Sequence, residues 1–147
     1  MRLALAMASA ALVAACAPAS PAAPLALHCR HALAMAPAAS ALPPSITNQL
    51  RTWMALNGER WNRTDSISPG ELVASYEWAA RAGQTWLVAY NVGGDDCCHI
   101  RLAAFVPQGG AASGYRQVMP EVGRPDEFGD ASCAGIDRFL DNHGLGR

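Results

Sequence analysis

The strongest pattern in this sequence is a pair of apolar runs in the middle of the chain. Residues 85–92 and residues 100–106 are both rich in β-branched, aromatic and aliphatic side chains. The segment Gly93-Gly94-Asp95-Asp96 follows the first run and consists of residue types that favour turns. Two such runs around a turn signal predict an antiparallel pair of strands. We therefore expect the rest of the domain to be organised around this pair.

The stretch before this pair fits two different structures. Ser68, Pro69 and Glu71 have the spacing of a capping box with proline at the first helical position, which predicts a helix. The polarity also alternates, with one side made by Leu72, Ala74, Tyr76, Trp78 and Ala80. Such alternation predicts a strand that turns at Ala82-Gly83 and pairs with residues 85–92 as a hairpin. The two alternatives stay open at this point, and we favour the strand.

Helical periodicity flanks the predicted strands. A first helix is predicted to begin at Pro43-Pro44-Ser45, with Ser45 as its N-cap, and to end at Gly58. The positions that repeat at helical spacing in it are Ile46, Leu50, Trp53, Met54 and Asn57. A shorter helix is predicted to begin at Ser132 and to end before Gly144. Its predicted buried face consists of Ile136, Phe139 and Leu140.

These elements predict a single α+β domain over residues 43–147. It comprises an N-terminal helix, a three- to four-stranded antiparallel β-meander and a short C-terminal helix, stapled by disulfides. Residues 115–119 are predicted to form the last strand, at an edge of the sheet. Because alanine buries little area, the four tryptophans contribute more to the predicted core than the many alanines do.

The N-terminus predicts export. Met1-Arg2 gives a short basic start, and residues 3–15 form an apolar run that is too short to span a bilayer. We interpret residues 1–15 as a signal peptide. Its last part, Leu12-Val13-Ala14-Ala15-Cys16, resembles a bacterial lipobox, in which the cysteine receives acyl chains such as palmitate and becomes the mature N-terminus. The alternative is an ordinary signal peptide that is cut after Ala17-Pro18-Ala19, which would leave the protein soluble in the periplasm or secreted.

The segment after Cys16 is rich in alanine and proline. Residues 16–42 therefore predict a tether between a membrane anchor and the domain. The lipobox resemblance also implies a location. With Ala17 rather than aspartate after the cysteine, it favours an outer-membrane lipoprotein that faces the periplasm.

Charge narrows the classes of partner. The chain has 12 acidic and 11 basic residues, all of the latter arginine, and a net charge of -1. Nucleic-acid binding requires a basic face, and so does electrostatic attachment to a membrane surface. The composition therefore argues against a nucleic-acid partner and leaves the lipid on Cys16 as the predicted link to the membrane.

The cysteines predict disulfides. Of the five cysteines, lipidation of Cys16 would leave Cys29, Cys97, Cys98 and Cys133, an even set that suits an oxidising compartment. Adjacent residues in a strand point to opposite faces, and a bond between two adjacent cysteines closes a strained ring. We therefore expect Cys97 and Cys98 to have different partners, one pairing with Cys29 and the other with Cys133.

The same cysteines allow a second interpretation. Thiolates and imidazoles are ligands for copper or zinc, which would make this protein a metal-handling lipoprotein. The candidate ligands are Cys29, Cys97 and Cys98 with His28, His31 and His99. Such a site needs reduced cysteines, and an oxidising compartment favours disulfides instead. We therefore predict no cofactor and no metal.

A longer pattern in the chain resembles a known group of proteins. It consists of Arg60-Trp61-Asn62-Arg63-Thr64-Asp65, an apolar strand, and then Trp86-(x)3-Tyr90-(x)2-Gly93-Gly94. This pattern resembles small exported bacterial lipoproteins of unknown function that contain a β-meander. The present chain lacks their paired arginines in the first strand and has cysteines where they have no fixed thiols. The resemblance implies the meander and no activity.

Candidate chemistry in the chain points to binding and not to catalysis. Nucleophilic hydrolysis needs a base in reach of a nucleophile, and the sequence contains no such context. Trp61 lies among arginines, a composition typical of interface anchors, and loops on a rigid sheet are frequent contact sites. The predicted contact residues are Trp61, Asp95, Asp96, Gly109 and Gly110.

These features predict a non-enzymatic binding module in the cell envelope. A small, lipid-anchored, disulfide-bonded domain resembles the periplasmic inhibitors and immunity proteins that block cell-wall hydrolases. A structural envelope lipoprotein, which binds other envelope components and inhibits nothing, is the remaining alternative.

Overall fold

The computed structural model describes residues 29–36, 38–64, 66–92, 100–109, 114–118 and 132–146. Within these ranges one six-stranded sheet carries two α-helices and a short 3₁₀-helix. None of the described helices is long and apolar enough to cross a membrane. In chain order the elements are β1 (Ala34–Ala36), the 3₁₀-helix (Ala39–Ala41), α1 (Pro44–Leu50), β2 (Met54–Ala55), β3 (Ala74–Ala82), β4 (Thr85–Val92), β5 (Ile100–Pro107), β6 (Tyr115–Val118) and α2 (Cys133–Asn142).

The sheet contains the predicted meander and two additional strands. β3, β4, β5 and β6 pair antiparallel in sequence order, and β6 ends the described strand order, as predicted. β1 adds to the other side of β3 in the antiparallel sense, and β2 pairs with β3 in parallel. The prediction of three to four strands was therefore too low. β1 and β2 have three and two residues, which is too short for an alternating pattern to be recognised.

The ambiguous stretch is a strand, as we favoured. Glu71 Oε2 accepts a hydrogen bond from the backbone N–H of Ser68 at 2.9 Å, which is the glutamate half of a capping box. The backbone N–H of Glu71 also donates to the Ser68 carbonyl at 3.1 Å. Gly70 has φ +84°, which a type II turn requires and a helix does not tolerate. The chain therefore turns at residues 68–71 and enters β3.

The first helix is shorter than predicted. It ends at Leu50 rather than at Gly58, and its N-cap is Pro43 rather than Ser45. After a turn, Met54 begins β2 and lies fully buried beside β3. Parallel pairing with β3 thus replaces the last helical turns, and it places the Trp53 ring edge-on against Tyr90 at 5.1 Å.

The sheet is covered on both faces. One face packs against α1 and the 3₁₀-helix, and the other packs against α2. Along β4, Trp86, Val88 and Tyr90 belong to the α1 side, whereas Leu87 and Ala89 belong to the α2 side. This alternation is what a strand between two apolar layers requires.

A bulge in β3 redirects its side chains. The register shifts between Tyr76 and Trp78, which leaves Glu77 as an extra residue. Tyr76 therefore packs on the α1 side and Trp78 on the α2 side, although the predicted alternation placed them on one side. The strand is as predicted, but its two faces exchange at the bulge.

The C-terminal helix is confirmed. Ser132 is its N-cap and accepts a hydrogen bond from the Gly135 N–H at 3.2 Å. Its buried residues are Ile136, Phe139 and Leu140, as predicted. Gly144 follows the end of the helix with φ +62°, a conformation that suits glycine.

The folded unit begins before the predicted boundary at residue 43. Within the predicted tether, β1 pairs with β3, and Ala36, Ala39 and Leu42 are buried. The hydroxyl of Tyr76 donates to the Ala36 carbonyl at 3.1 Å, and burial raises the pKa of Tyr76 to about 12. Alanine gives little apolar pattern, so this short strand resembled linker sequence. Residues 16–28 lie outside the described residues.

Candidate functional site

The loop between β2 and β3, residues 56–73, carries Trp61 and is tied at its base. The Val73 N–H donates to the Trp53 carbonyl at 2.9 Å, and the Asn62 N–H donates to the Leu72 carbonyl at 2.7 Å. The two arms of this β2–β3 loop are thus joined beside Trp61. Residue 65 lies outside the described part of the loop.

The side chain of Asn62 braces the loop from inside. Its Nδ2 donates to Glu71 Oε2 and to the Ser66 carbonyl, both at 2.6 Å. Its Oδ1 accepts from the Thr64 N–H at 2.8 Å and from the Thr64 hydroxyl at 2.7 Å. The hydrogen bonds from the Ser68 N–H and from Asn62 lower the pKa of Glu71, which therefore stays ionised. The amide and carboxylate together fix the backbone that follows Trp61.

A second carboxylate closes the turn that leads into the loop. Glu59 Oε2 accepts from the Leu56 N–H at 2.6 Å and from the Asn57 N–H at 3.2 Å. Gly58 allows this turn with φ +75°. Like Glu71, Glu59 uses its carboxylate to hold backbone.

The guanidinium group of Arg63 lies over the ring of Trp61. Arg63 Cζ lies 5.2 Å from the centre of the Trp61 ring, within the range of a cation–π contact. Trp61 is half-buried, whereas Arg60 and Arg63 are exposed. Within the described ranges, the basic residues that form ion pairs are Arg30 and His31. Neither Arg60 nor Arg63 therefore has a carboxylate partner among the described residues. We call Arg60, Trp61 and Arg63 the Trp61 surface.

Two open depressions adjoin this surface. One, of about 370 Å³, is lined by the Trp61 surface together with Gly58, Glu59 and Ser75. The other, of about 750 Å³, is lined by the same three residues and reaches Glu71 and Leu72. The Trp61 surface is therefore shared by two concavities that each combine cationic, apolar and hydrogen-bonding groups.

Of the other predicted contact residues, Gly109 is the one that the structure describes, and it lies away from this surface. Gly109 lies beyond the end of β5 where Pro107 pairs with Tyr115, near the β3–β4 turn. Trp61 shares its depression with Ser75, which belongs to the opposite end of β3. Asp95, Asp96 and Gly110 lie outside the described residues. Of the two described members of the predicted set, Trp61 lines both of these depressions and Gly109 lines neither.

The disulfide differs from the expected pairing. Cys29 bonds directly to Cys133, with a Cα–Cα distance of 4.8 Å, so the expected pairing of Cys29 and Cys133 with Cys97 and Cys98 is wrong. The reason is that α2 covers the sheet face on which Cys29 also packs. Cys16, Cys97 and Cys98 lie outside the described residues.

The same bond bears on the metal-handling alternative. A disulfide sulfur is not a thiolate, so Cys29 offers no such ligand in this state. His31 Nε2 lies 3.0 Å from Asp141 Oδ1. In the part of the chain that the structure describes, no group of three histidine, cysteine or acidic residues is arranged around a metal position. His28 and His99, the other candidate imidazoles, lie outside that part.

Next to the disulfide, the start of the described chain is clasped onto α2. Asp137 accepts hydrogen bonds from the N–H groups of Arg30 and His31 at 3.0 and 3.1 Å. Asp141 accepts from the guanidinium of Arg30 and pairs with the His31 ring. We call these residues, with the Cys29–Cys133 bond, the N-terminal clasp. Sequence reasoning missed it because its halves lie more than a hundred residues apart.

The clasp lowers the pKa of both Asp137 and Asp141. Desolvation opposes ionisation of Asp137, but the N–H donors of Arg30 and His31 and the nearby charge outweigh it and lower its pKa. The hydrogen bonds from His31 and Arg30 lower the pKa of Asp141. Both carboxylates are therefore held ionised by groups from the N-terminal segment.

Comparison with known proteins identifies no family for this fold and site. No family model matches the chain, and no curated protein and no solved structure matches it either.

Proposed function

We propose that this protein is a non-enzymatic binding module of the cell envelope, exported and held by a lipid on Cys16, which binds a partner protein through the Trp61 surface. The observation that carries the proposal is the arrangement of Trp61 itself. A half-buried tryptophan, with an arginine on its ring, adjoins two open depressions on a braced loop. Tryptophan and arginine are the residues that contribute most to binding energy in protein interfaces.

Rigidity of the loop supports the same proposal. A contact loop that must be ordered on binding loses affinity, because the ordering costs conformational entropy. In the β2–β3 loop, Asn62, Glu59 and Glu71 already hold the backbone around Trp61. The surface is therefore prepared for a partner before binding.

The proposed partner is an enzyme of the envelope, and a cell-wall hydrolase is the class that we favour. Two features of the molecule support this class: its disulfide-secured fold and the position of its proposed contact residues. A disulfide and an ion-paired clasp secure the fold, which suits a compartment where thiols are oxidised. The contact residues lie on a loop beside a rigid sheet, as in many inhibitors and other recognition proteins.

The test compares two changes in the same loop. The full chain is attached to beads, and envelope proteins of the producing bacterium are captured and assayed for hydrolysis of purified cell wall. Trp61→Ala should weaken capture by at least about 2 kcal/mol, as expected for a central anchor. Ile67→Ala is the matched control, because Ile67 is 64% exposed in the same loop and lines neither depression.

Each outcome has a defined meaning. A hydrolase that is inhibited by the unmodified protein and released by Trp61→Ala supports the whole proposal. If capture of an envelope protein depends on Trp61 but no hydrolase is inhibited, the protein is a structural lipoprotein and not an inhibitor. Capture that survives Trp61→Ala would remove the Trp61 surface from the proposal.

A further inference from the structure

Two described acids and two arginines line the depressions beside Trp61, but only the acids have hydrogen-bond partners within the described part of the loop. Both nearby described acids have a carboxylate oxygen bound inside the loop. Glu59 holds the Leu56 and Asn57 N–H groups, and Glu71 holds the Ser68 N–H and the Asn62 amide. None of these donors is a cation. The acids thus stabilise backbone and leave both guanidinium groups of the Trp61 surface without a described carboxylate partner.

The chemistry of those cations selects a ligand group. A guanidinium presents several N–H donors in a planar fork that matches a carboxylate in a bidentate arrangement. Arg60 and Arg63 both line both depressions, so a group entering either one meets them. Beside them, the Trp61 ring and Leu72 offer apolar area. The combination favours a chain that carries a carboxylate next to an apolar or aromatic side chain.

We infer that the Trp61 surface binds an acidic peptide segment of its partner protein, in which a glutamate or aspartate meets Arg60 and Arg63 and an adjacent apolar side chain packs on Trp61. This inference rests on the proposed function and adds the class of partner segment to it. The same geometry predicts affinity that falls as salt screens the exposed charges.

A membrane surface is the other anionic partner to consider. Binding to anionic lipid typically uses clusters of about four to eight basic residues, because each contributes little alone. The Trp61 surface has two arginines, Glu59 and Glu71 line the adjoining depressions, and the chain as a whole has a net charge of -1. Two cations suit a single carboxylate-bearing segment better than a lipid plane.

The experiment uses two labelled peptides and two kinds of vesicle. One peptide alternates glutamate and tyrosine, and the other replaces each glutamate by glutamine. Binding to the full chain is measured by fluorescence anisotropy, and vesicles of phosphatidylglycerol are compared with vesicles of phosphatidylcholine by flotation. We expect the glutamate peptide to bind at least about tenfold more tightly than the glutamine peptide, because hydrogen bonds between charged groups are the stronger ones.

The variants localise the effect. Arg60→Ala and Arg63→Ala should each weaken binding of the glutamate peptide by about tenfold. Arg63→Lys should be intermediate, since it keeps the charge and loses the planar fork. Arg116→Ala is the matched control, because Arg116 is an exposed arginine on β6. It should bind the peptide as the unmodified protein does.

Three results would overturn the inference. They are equal binding of the two peptides, no binding of either peptide, and binding to phosphatidylglycerol vesicles without binding to the glutamate peptide. Failure of the inference is distinct from failure of the proposed function. If partner capture needs Trp61 but tolerates the loss of both arginine side chains, the binding module stands and its acidic ligand does not.

Discussion

In the N-terminal clasp and in the β2–β3 loop, a carboxylate closes the local structure by accepting hydrogen bonds from backbone N–H groups. Asp137 does so for Arg30 and His31, and Glu71 does so for Ser68. The regions differ in what they do with cations. The clasp brings the Arg30 guanidinium to Asp137 and Asp141, whereas the described loop has no ion pair.

Under the proposed function, that difference separates the region that stabilises the fold from the region that binds the partner. In the clasp, opposite charges meet within the molecule, and the result is a fastened N-terminal segment. In the loop, neutral donors satisfy the acids, and the arginines of the Trp61 surface remain exposed to solvent. Changes in the clasp should therefore alter unfolding and leave partner binding intact, and changes at the Trp61 surface should do the reverse.

The largest expected effect concerns the disulfide of the clasp. Cys133→Ser should lower the free energy of unfolding by about 4 kcal/mol, because the bond constrains an unfolded loop on the order of 100 residues. Its partners are 104 positions apart. Urea unfolding without reductant measures the loss. The double variant Cys29→Ser with Cys133→Ser should lose no more than either single variant, and additive losses would contradict this pairing.

The next effect concerns the acid that holds two backbone groups. Asp137→Ala removes the acceptor for the backbone N–H groups of Arg30 and His31. The Asp137 side chain is only 14% exposed. We expect a loss of about 2 kcal/mol in the free energy of unfolding, as for charged hydrogen bonds that are broken. Arg138→Ala, at the next and exposed position of α2, is the control. Equal stability of these two variants would show that the hydrogen bonds to Asp137 contribute nothing.

A smaller effect is expected from acid. The pKa values of Asp137 and Asp141 are lowered in the folded protein, so their contribution is complete above the ordinary carboxylate pKa of about 3.9. It is lost as the pH falls through the lowered folded values. Protonation removes charge but keeps an acceptor oxygen, so the loss should be smaller than that of Asp137→Ala. Unfolding curves recorded across this range should become less pH-dependent in Asp137→Asn, and an unchanged slope would contradict the assignment.

The sequence predicts those features of the two regions that depend on residues close together in the chain, and it misses those that depend on residues far apart. The β3–β4 turn, the β4–β5 pair and the buried face of α2 follow from local patterns, and the structure confirms them. The Trp61 surface was found in part, because Trp61 and its arginines are neighbours in the chain. The pairing of Cys29 with Cys133 has no local signal, because it depends on which sheet face α2 covers.

Short elements and bulges were missed for a different reason. β2 has two residues, and its pairing with β3 competes with continuation of α1. Periodicity favoured the helix at Met54, since a window of apolar residues cannot report a parallel partner twenty residues further on. The bulge at Glu77 likewise exchanges the faces of β3 without changing its apolar content.

The smallest expected change in stability distinguishes the two regions most sharply. Gly70 in the β2–β3 loop and Gly144 after α2 both have positive φ, at +84° and +62°, and a Cβ atom at either would meet no other atom within 4 Å. Each Gly→Ala change should therefore cost about 1 kcal/mol through backbone conformation alone. Gly70 lies inside the turn that Glu71 closes. A backbone shift that relieves the strain of an alanine there would therefore also move Glu71 and the hydrogen bonds that it makes within the loop.

We therefore expect Gly70→Ala and Gly144→Ala to lower the unfolding free energy by similar amounts, and only Gly70→Ala to weaken partner capture as well. Thermal unfolding and the capture assay, performed on the same preparations, measure both effects. Because the two variants are matched in strain and in space, a shared loss of stability cannot explain a difference in binding. Equal capture by both variants would mean that the brace is dispensable and that Trp61 binds without a prepared loop.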